Sequence, residues 1–279
     1  MALTAWAAGA LLAFAAAGLL QRLKITRYRV ILPNMKGTRP VRLLLLADLH
    51  GKRWGKGQRF LLNAARAQQP DAVVLAGDMT EAGHSYQPVI ELARGLTSIA
   101  PVFFVAGNHD LLTFDCDAFT HALEKESVVS LRDQSIPLRV RDETITLSGL
   151  DDPFIAFIRE WEDTDANYEE RLREVSAADG PSPRVLITHR PEYAVLYARA
   201  GYHLALCGHT HGGQVRLPPP LRGLYASGQG FFPRYAAGEY RVNGMHMIIS
   251  RGLHQSVTRP RFFNRPEVVA VDMVKEASS

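Results

Sequence analysis

The first twenty-one residues carry no charged side chain, and in the whole chain of 279 residues the only thiols are Cys116 and Cys207. Two cysteines give neither a disulfide framework nor a cysteine-rich zinc site. Cys207 follows the apolar run Leu204-Ala205-Leu206, where a buried free thiol is ordinary, and both thiols are read as structural. A large charge excess is also missing. The formal net charge is +4 and the isoelectric point about 9.1, which suits anionic headgroups or phosphorylated substrates, and no nucleic acid is expected. Internal repeats and low-complexity tracts are absent as well. With 47% hydrophobic and 22% charged residues, the composition is that of a globular protein and not of a disordered chain.

What stands at the N-terminus is an uncharged run from Leu3 to Leu20, dominated by Ala and Leu. It is barely long enough to span a bilayer, which takes about 20 apolar residues. No basic residue precedes it, as would be usual for a cleaved signal, whereas Arg22, Lys24, Arg27 and Arg29 follow directly. That order predicts a single-pass anchor in the inner (plasma) membrane with the remainder of the chain in the cytoplasm. The alternative is an export signal with an atypical start. A helix packed on a soluble domain is disfavoured, because the run has no polar face. The expected organisation is an anchor over 1–21, a basic linker with a first strand over 22–40, and one domain over 41–279.

Short apolar runs then recur, bounded by Gly, Pro or Asp: Leu43–Leu46, Val73–Leu75, Val102–Val105, Val185–Ile187 and Leu204–Leu206. They read as buried strands, with helix-like segments such as Gln58–Gln68 and Pro191–Ala200 between some of them. The alternation predicts an α/β sandwich. Further strand candidates, Glu143–Ser148, Glu239–Val242, Met245–Ser250 and Val268–Val271, come in pairs and predict a second, partly antiparallel sheet. Asp152–Glu170 and Leu217–Ala237 read as long irregular loops, a type usually functional or mobile.

Five of the runs end in polar clusters: Asp48-Leu49-His50, Gly77-Asp78, Gly107-Asn108-His109-Asp110, Thr188-His189 and Gly208-His209-Thr210-His211. In open α/β sheets ligands bind beyond the carboxyl ends of the strands, so one rim would collect all of these groups. Carboxylate, imidazole and amide oxygen without thiolate suit Mn²⁺, Fe or Zn²⁺. Seven such ligands, Asp48, His50, Asp78, Asn108, His189, His209 and His211, are too many for one ion. Two divalent ions, about 3.5–4 Å apart and bridged by one carboxylate, would use them all and clamp an in-line displacement at phosphorus. Singly each piece is weak: a Gly-Asp after a strand is commonly a turn, and a lone histidine is commonly packed or on the surface. Five coincident clusters in this order are hard to obtain by chance.

The chain resembles the calcineurin-like metallophosphoesterase superfamily, whose signature blocks correspond to these five clusters, from about Arg42 to the C-terminus. Within it, Gly208–Pro218, Ser250-Arg251-Gly252-Leu253 and Asn264-Arg265-Pro266-Glu267 are similar to the membrane-anchored bacterial YaeI/YkuE-like branch. One departure is visible: that branch commonly carries glycine where this chain has His254. The resemblance implies two mixed β-sheets sandwiched with flanking helices. It also implies that Asp48, His50, Asp78 and His211 hold one ion and that Asp78, Asn108, His189 and His209 hold the other, with Asp78 as the bridge and Mn²⁺ as the first choice of metal. His109 would protonate the leaving oxygen or stabilise phosphoryl charge. Asp110 would orient the His109 ring or cap a helix after the strand.

His84, His121, His203, His246 and His254 fall outside the signature blocks and are expected to be packed or on the surface. Arg251 and Arg265 are candidates for a phosphate contact or an ordinary ion pair. Phe154, Ile155, Phe157, Ile158, Trp161, Leu221, Leu224, Phe231 and Phe232 lie in the two long loops, which could receive an acyl chain. The expected substrate is therefore phosphorylated and lipid-linked, such as a phospholipid, and the resemblance to anchored family members implies UDP-2,3-diacylglucosamine as a specific candidate. Soluble phosphomonoesters or phosphoproteins are the competing substrates, and a non-catalytic, metal-stabilised scaffold is the competing class.

Overall fold

The computed structural model describes residues 2–113, 115–154, 164–177, 180, 183–216, 222–255 and 260–276. Its strands are β1 Lys24–Ile31, β2 Val41–Leu46, β3 Ala72–Ala76, β4 Val102–Val105, β5 Val128–Ser130, β6 Gln134–Val140, β7 Glu143–Leu150, β8 Arg184–Thr188, β9 Leu204–Cys207, β10 Tyr225–Ala226, β11 Gly230–Phe231, β12 Gly238–Val242, β13 Met245–Ile249 and β14 Glu267–Val274. Helices are α1 Ala2–Gly18, α2 Arg59–Gln68, α3 Gln87–Thr97, α4 Asn108–Leu111, α5 Cys116–Lys125, α6 Thr164–Ala177 and α7 Ala194–Arg199.

Two six-stranded sheets form, in the orders β1-β14-β2-β3-β4-β5 and β12-β13-β9-β8-β7-β6. Both are mixed. β2 to β5 run parallel and β14 is antiparallel to β2, while β7, β8, β9 and β13 run parallel between the antiparallel edges β6 and β12. The expected runs over Leu43–Leu46, Val73–Leu75, Val102–Val105, Val185–Ile187 and Leu204–Leu206 all lie in strands, and the paired candidates form β7, β12, β13 and β14.

Successive side chains of a strand face opposite sides, so a strand apolar at every position needs a partner on each face. Leu43, Leu45, Val74, Phe103 and Val105 meet Leu147, Val185, Ile187, Leu204, Leu206 and Ile248 in the layer between the sheets. The outer face of the first sheet, with Leu44, Leu46, Leu75 and Phe104, is covered by Leu61, Leu92, Leu96 and Phe119 of α2, α3 and α5. On the outer face of the second, Leu186, Cys207, Met247 and Ile249 are covered by Tyr168, Leu172 and Tyr197 of α6 and α7. Cys207 is buried and free, as its apolar context implies.

Two expectations are corrected. Asp152–Glu170 is not wholly irregular, because α6 begins at Thr164 and buries Tyr168, Leu172 and Val175 at helical spacing. Leu217–Ala237 contains the small hairpin β10-β11. The first strand expected within 22–40 is β1, which pairs in parallel with all eight residues of β14.

The N-terminal run forms a 17-residue helix, about 25 Å long at 1.5 Å per residue. Among the described residues, no helix is long and apolar enough to cross a membrane. The end of α1 is set by packing: the Gly18 carbonyl accepts from Phe263 N at 2.6 Å, and Phe14 lies edge-on to Phe262 and Phe263. The outer surface of α1 remains apolar and exposed, with Trp6 81% and Leu12 71% accessible.

Candidate metal centre and its cleft

The polar clusters follow the carboxyl ends of β2, β3 and β4 in one sheet and of β8 and β9 in the other, and both sheets end on the same rim. The turns are tight. Asp48, His50, Asp78, His209 and His211 all have left-handed backbones, with φ of 53°, 49°, 52°, 72° and 47°. Such φ values are uncommon outside glycine and are held only where the surroundings enforce them. Here neighbouring backbones lock the turns: Asp48 N donates to the Gly77 carbonyl at 3.0 Å and His50 N to the Asp78 carbonyl at 3.0 Å. At Gly107 a Cβ would collide with Asp78, so the first and second residues after β3 fit against α4 only because a side chain is missing there.

Three groups of potential ligand atoms result among the described residues. Asp48, His50, Asp78 and His211 form one, Asp78, His189 and His209 form a second that shares Asp78 with it, and His50, Glu81 and His109 form a third. His189 Nε2 is 3.1 Å from Asp78 Oδ2, His50 Nε2 is 3.8 Å from the same oxygen, and His211 Nε2 is 3.6 Å from Asp48 Oδ1. Asn108 begins α4 beside the second group. One oxygen of each carboxylate accepts a backbone amide: Asp48 Oδ1 from His209 N at 2.9 Å, and Asp78 Oδ1 from His109 N at 2.8 Å. Asp48 Oδ2, Asn108 Oδ1 and His209 Nε2 are buried without a hydrogen-bond partner among the described residues. A buried polar atom left unpaired costs about 1–3 kcal/mol, and three of them converging on one rim fit cations as their missing partners.

The electrostatics agree. Burial pushes the Asp48 carboxyl up to about 7 against the pull of His189. Burial would keep His189 neutral, but Asp78 and Asp48 beside it push the ring up to about 10. Burial lowers His50 to about 3, so this ring is neutral and its nitrogens are available to an ion. Carboxylates gathered in a buried site are stabilised by positive ions or by protons, and the raised His189 ring is one such proton carrier when no ion is bound.

His109 lines the cleft and packs edge-on to His50, with ring centres 4.7 Å apart. Asp110 is corrected as an orienting group: its Oδ1 accepts from Thr80 N at 2.8 Å and its Oδ2 from Gly107 N at 3.0 Å, so it ties the turn after β3 to the start of α4. Gly107 is the N-cap of α4, and Asp110, three residues on, accepts from its amide. His84 is exposed, His121 is exposed beside Glu124, His203 Nδ1 accepts from Arg184 N, and His246 pairs with Glu239, all as expected. His254 is the correction. It stands on the cleft wall, its ring 4.6 Å from that of His50. Arg251 pairs with Glu267, and Arg265 donates to the carbonyls of Arg22 and Leu23, so neither is a free phosphate donor.

Sequence reasoning missed Glu81, Gln214 and Tyr225, which also line the cleft of about 370 Å³. Glu81 follows Asp78 closely enough to have been suspected. Tyr225 carries no local signal and arrives through the β10-β11 hairpin, where it packs against Phe231 at 5.4 Å. Phe231 and Phe232 are 70% and 56% exposed, Leu224 is half-buried, and Phe154 packs on the outer core of the first sheet. Ile155, Phe157, Ile158, Trp161 and Leu221 lie outside the described residues.

Residues 41–213 match the profile of the family described as calcineurin-like phosphoesterase. The uncharacterized protein YpbG of Bacillus subtilis is 30% identical over 187 residues, 66% of each chain. Phosphodiesterase YaeI of Escherichia coli is 27% identical over 247 residues, covering 84% of this chain and 83% of that one. Among solved structures, the sulfate thiohydrolase SoxB of Thermus thermophilus superposes with a TM-score of 0.52 at 14% identity, over 86% of this chain and 57% of that one. That last likeness concerns the fold alone.

Proposed function

Because the chain belongs to the calcineurin-like phosphoesterase family, whose members are metal-dependent phosphoester hydrolases, we propose that it cleaves phosphodiester or diphosphate bonds of a lipid-linked substrate at a two-ion centre. The observation that carries the reading is the position of Asp78, common to two groups of ligand atoms that between them leave buried polar atoms unpaired. Asp48, His50, Asp78 and His211 hold one ion, and Asp78, Asn108, His189 and His209 hold the other. When bound, the ions supply positive charge to the phosphoryl oxygens and an acidified water for in-line attack.

The protein's own groups do the rest. His109 sits at the cleft and donates a proton to the departing oxygen. Asp110 keeps α4, and with it His109 and Asn108, in register with the turn that carries Asp78. Mn²⁺ is the proposed metal, with Fe or Zn²⁺ as substitutes, because the donors are nitrogen and oxygen without thiolate.

Two surfaces support a lipid-linked substrate. The exposed apolar face of α1 suits attachment to a membrane, and it is followed by Arg22, Lys24, Arg27 and Arg29, which suit anionic headgroups. At the cleft, Tyr225 and the exposed Phe231 and Phe232 form an aromatic lip on one hairpin. The test is turnover by purified, Mn²⁺-loaded protein on UDP-2,3-diacylglucosamine, a phospholipid, a small soluble diester and a soluble monoester. Higher kcat/KM on a lipid than on the soluble esters is expected. Preference for the soluble monoester would replace the lipid reading with the phosphatase one, and no turnover by protein holding both ions would end the enzyme reading.

A further inference from the structure

His254 lies five residues beyond β13, the strand parallel to β9 in the second sheet. Its ring stands edge-on to two of the candidate ligands, with centres 4.6 Å from His50 and 5.6 Å from His211, and it faces the cleft. Even so, it belongs to none of the groups of potential ligand atoms found among the described residues. An imidazole beside the ions but outside their ligand set is close to whatever the ions bind.

The loop that presents this ring is stiff. Arg251 N donates to Glu267 Oε1 at 3.0 Å, Gly252 N to Ser250 Oγ at 2.9 Å and Leu253 N to the Ala47 carbonyl at 3.0 Å. Gly252 has φ 72° and runs so close to Asp48 that a Cβ would come within 2.5 Å of its Oδ2. From below, the buried Arg261 donates to the carbonyls of His254 and Arg251. A side chain whose own backbone is tied on its N-terminal side and at its carbonyl is placed before any ligand arrives, which is what a hydrogen bond to substrate requires.

We infer that His254 is a substrate-contacting residue that donates a hydrogen bond to a phosphate oxygen, a second imidazole contact at the cleft beside that of His109. The inference rests on the phosphoesterase reading, and it assigns His254 to binding and not to proton transfer. Removing it weakens substrate and transition state alike, so KM rises while kcat stays nearly constant.

The test compares wild type with His254→Gly and His254→Gln, all loaded with Mn²⁺. The readouts are ion content, Tm, Kd for inorganic phosphate by calorimetry, and kcat and KM on a small diester. For His254→Gly the expected result is unchanged ion content and Tm, with Kd and KM both raised about tenfold, the ordinary value of one charge-assisted hydrogen bond. His254→Gln, which keeps a donor, should fall between the two. Loss of an ion would make His254 a ligand and overturn the inference. Unchanged Kd and KM, or a fall in kcat with KM constant, would overturn it too. A wild type that binds phosphate more tightly than His254→Gly but hydrolyses no ester would sink the enzyme reading and leave this contact standing.

Discussion

The two ends of the same sandwich are built on opposite principles. At the amino ends of β2 and β3, opposite charges meet in pairs. Arg42 holds Asp272 through two hydrogen bonds of 2.6 and 2.8 Å, Asp71 accepts from Arg42 N at 2.8 Å, and Arg141 pairs with Asp71. At the carboxyl-end rim, Asp48, Asp78 and Asp110 are buried near one another among histidine rings, and several of their atoms and neighbours lack partners among the described residues. Burial, with the charge of Asp78, pushes Asp110 up to about 8. One end is complete as folded and serves stability. The other leaves buried polar atoms unpaired, which fits cations as their partners, and it has left-handed backbone at five candidate ligands.

The sharpest way to break this contrast is Asp78→Ala, which should take turnover to the limit of detection and strip ions from both sites. Elemental analysis decides it, and two ions retained per chain would end the bridging assignment. A chelator should lower the Tm of the wild type, because ions that bind only the folded state stabilise it, and should leave the Tm of Asp78→Ala nearly unchanged. Next in size is His109→Ala. It should keep both ions and lose about 10²–10⁴ in turnover on esters with poor leaving groups, with a smaller loss on activated ones. An equal loss on both would favour charge stabilisation over proton donation.

A smaller effect is expected at the lip. Replacing Phe231 and Phe232 by Ser should cost about tenfold in kcat/KM on a lipid substrate, since burying one such side chain is worth roughly 1.5–3 kcal/mol, and should spare a soluble diester. Equal losses on both substrates together with a lower Tm would mean that the pair only packs the loop. At the satisfied end, Arg42→Met should cost about 1 kcal/mol of stability, near the top of the range for partly exposed ion pairs, and leave kcat unchanged. A change in kcat there would break the division between the two ends.

Much of the rim was legible because each candidate ligand directly follows a run of buried apolar residues: Leu43–Leu46 announces Asp48, Val73–Leu75 announces Asp78, and Leu204–Leu206 announces His209 and His211. A strand buried on both faces needs such a run, and its carboxyl end is where the chain must turn. β1 was harder to read as a full sheet member, since Arg27, Tyr28 and Arg29 interrupt its apolar pattern and its eight-residue pairing is with β14, far away in the chain. α6 had a readable stripe in Tyr168, Leu172 and Val175, but aromatic residues just before it drew the segment toward a loop reading.

Residue type and order thus determined the α/β class, the set of metal-seeking side chains and the apolar character of the N-terminus, because these depend on local periodicity and on donor chemistry. Three matters came only with packing. The N-terminal helix stops at Gly18 because Phe263 takes its carbonyl, Asp110 ties the turn after β3 to α4 because Thr80 and Gly107 present their amides to it, and His254 reaches the cleft because its loop is anchored to Ala47, Glu267 and Arg261. Each of these contacts joins residues that no periodicity relates, most of them far apart in the chain, and a sequence pattern does not record which distant backbone atom a side chain will meet.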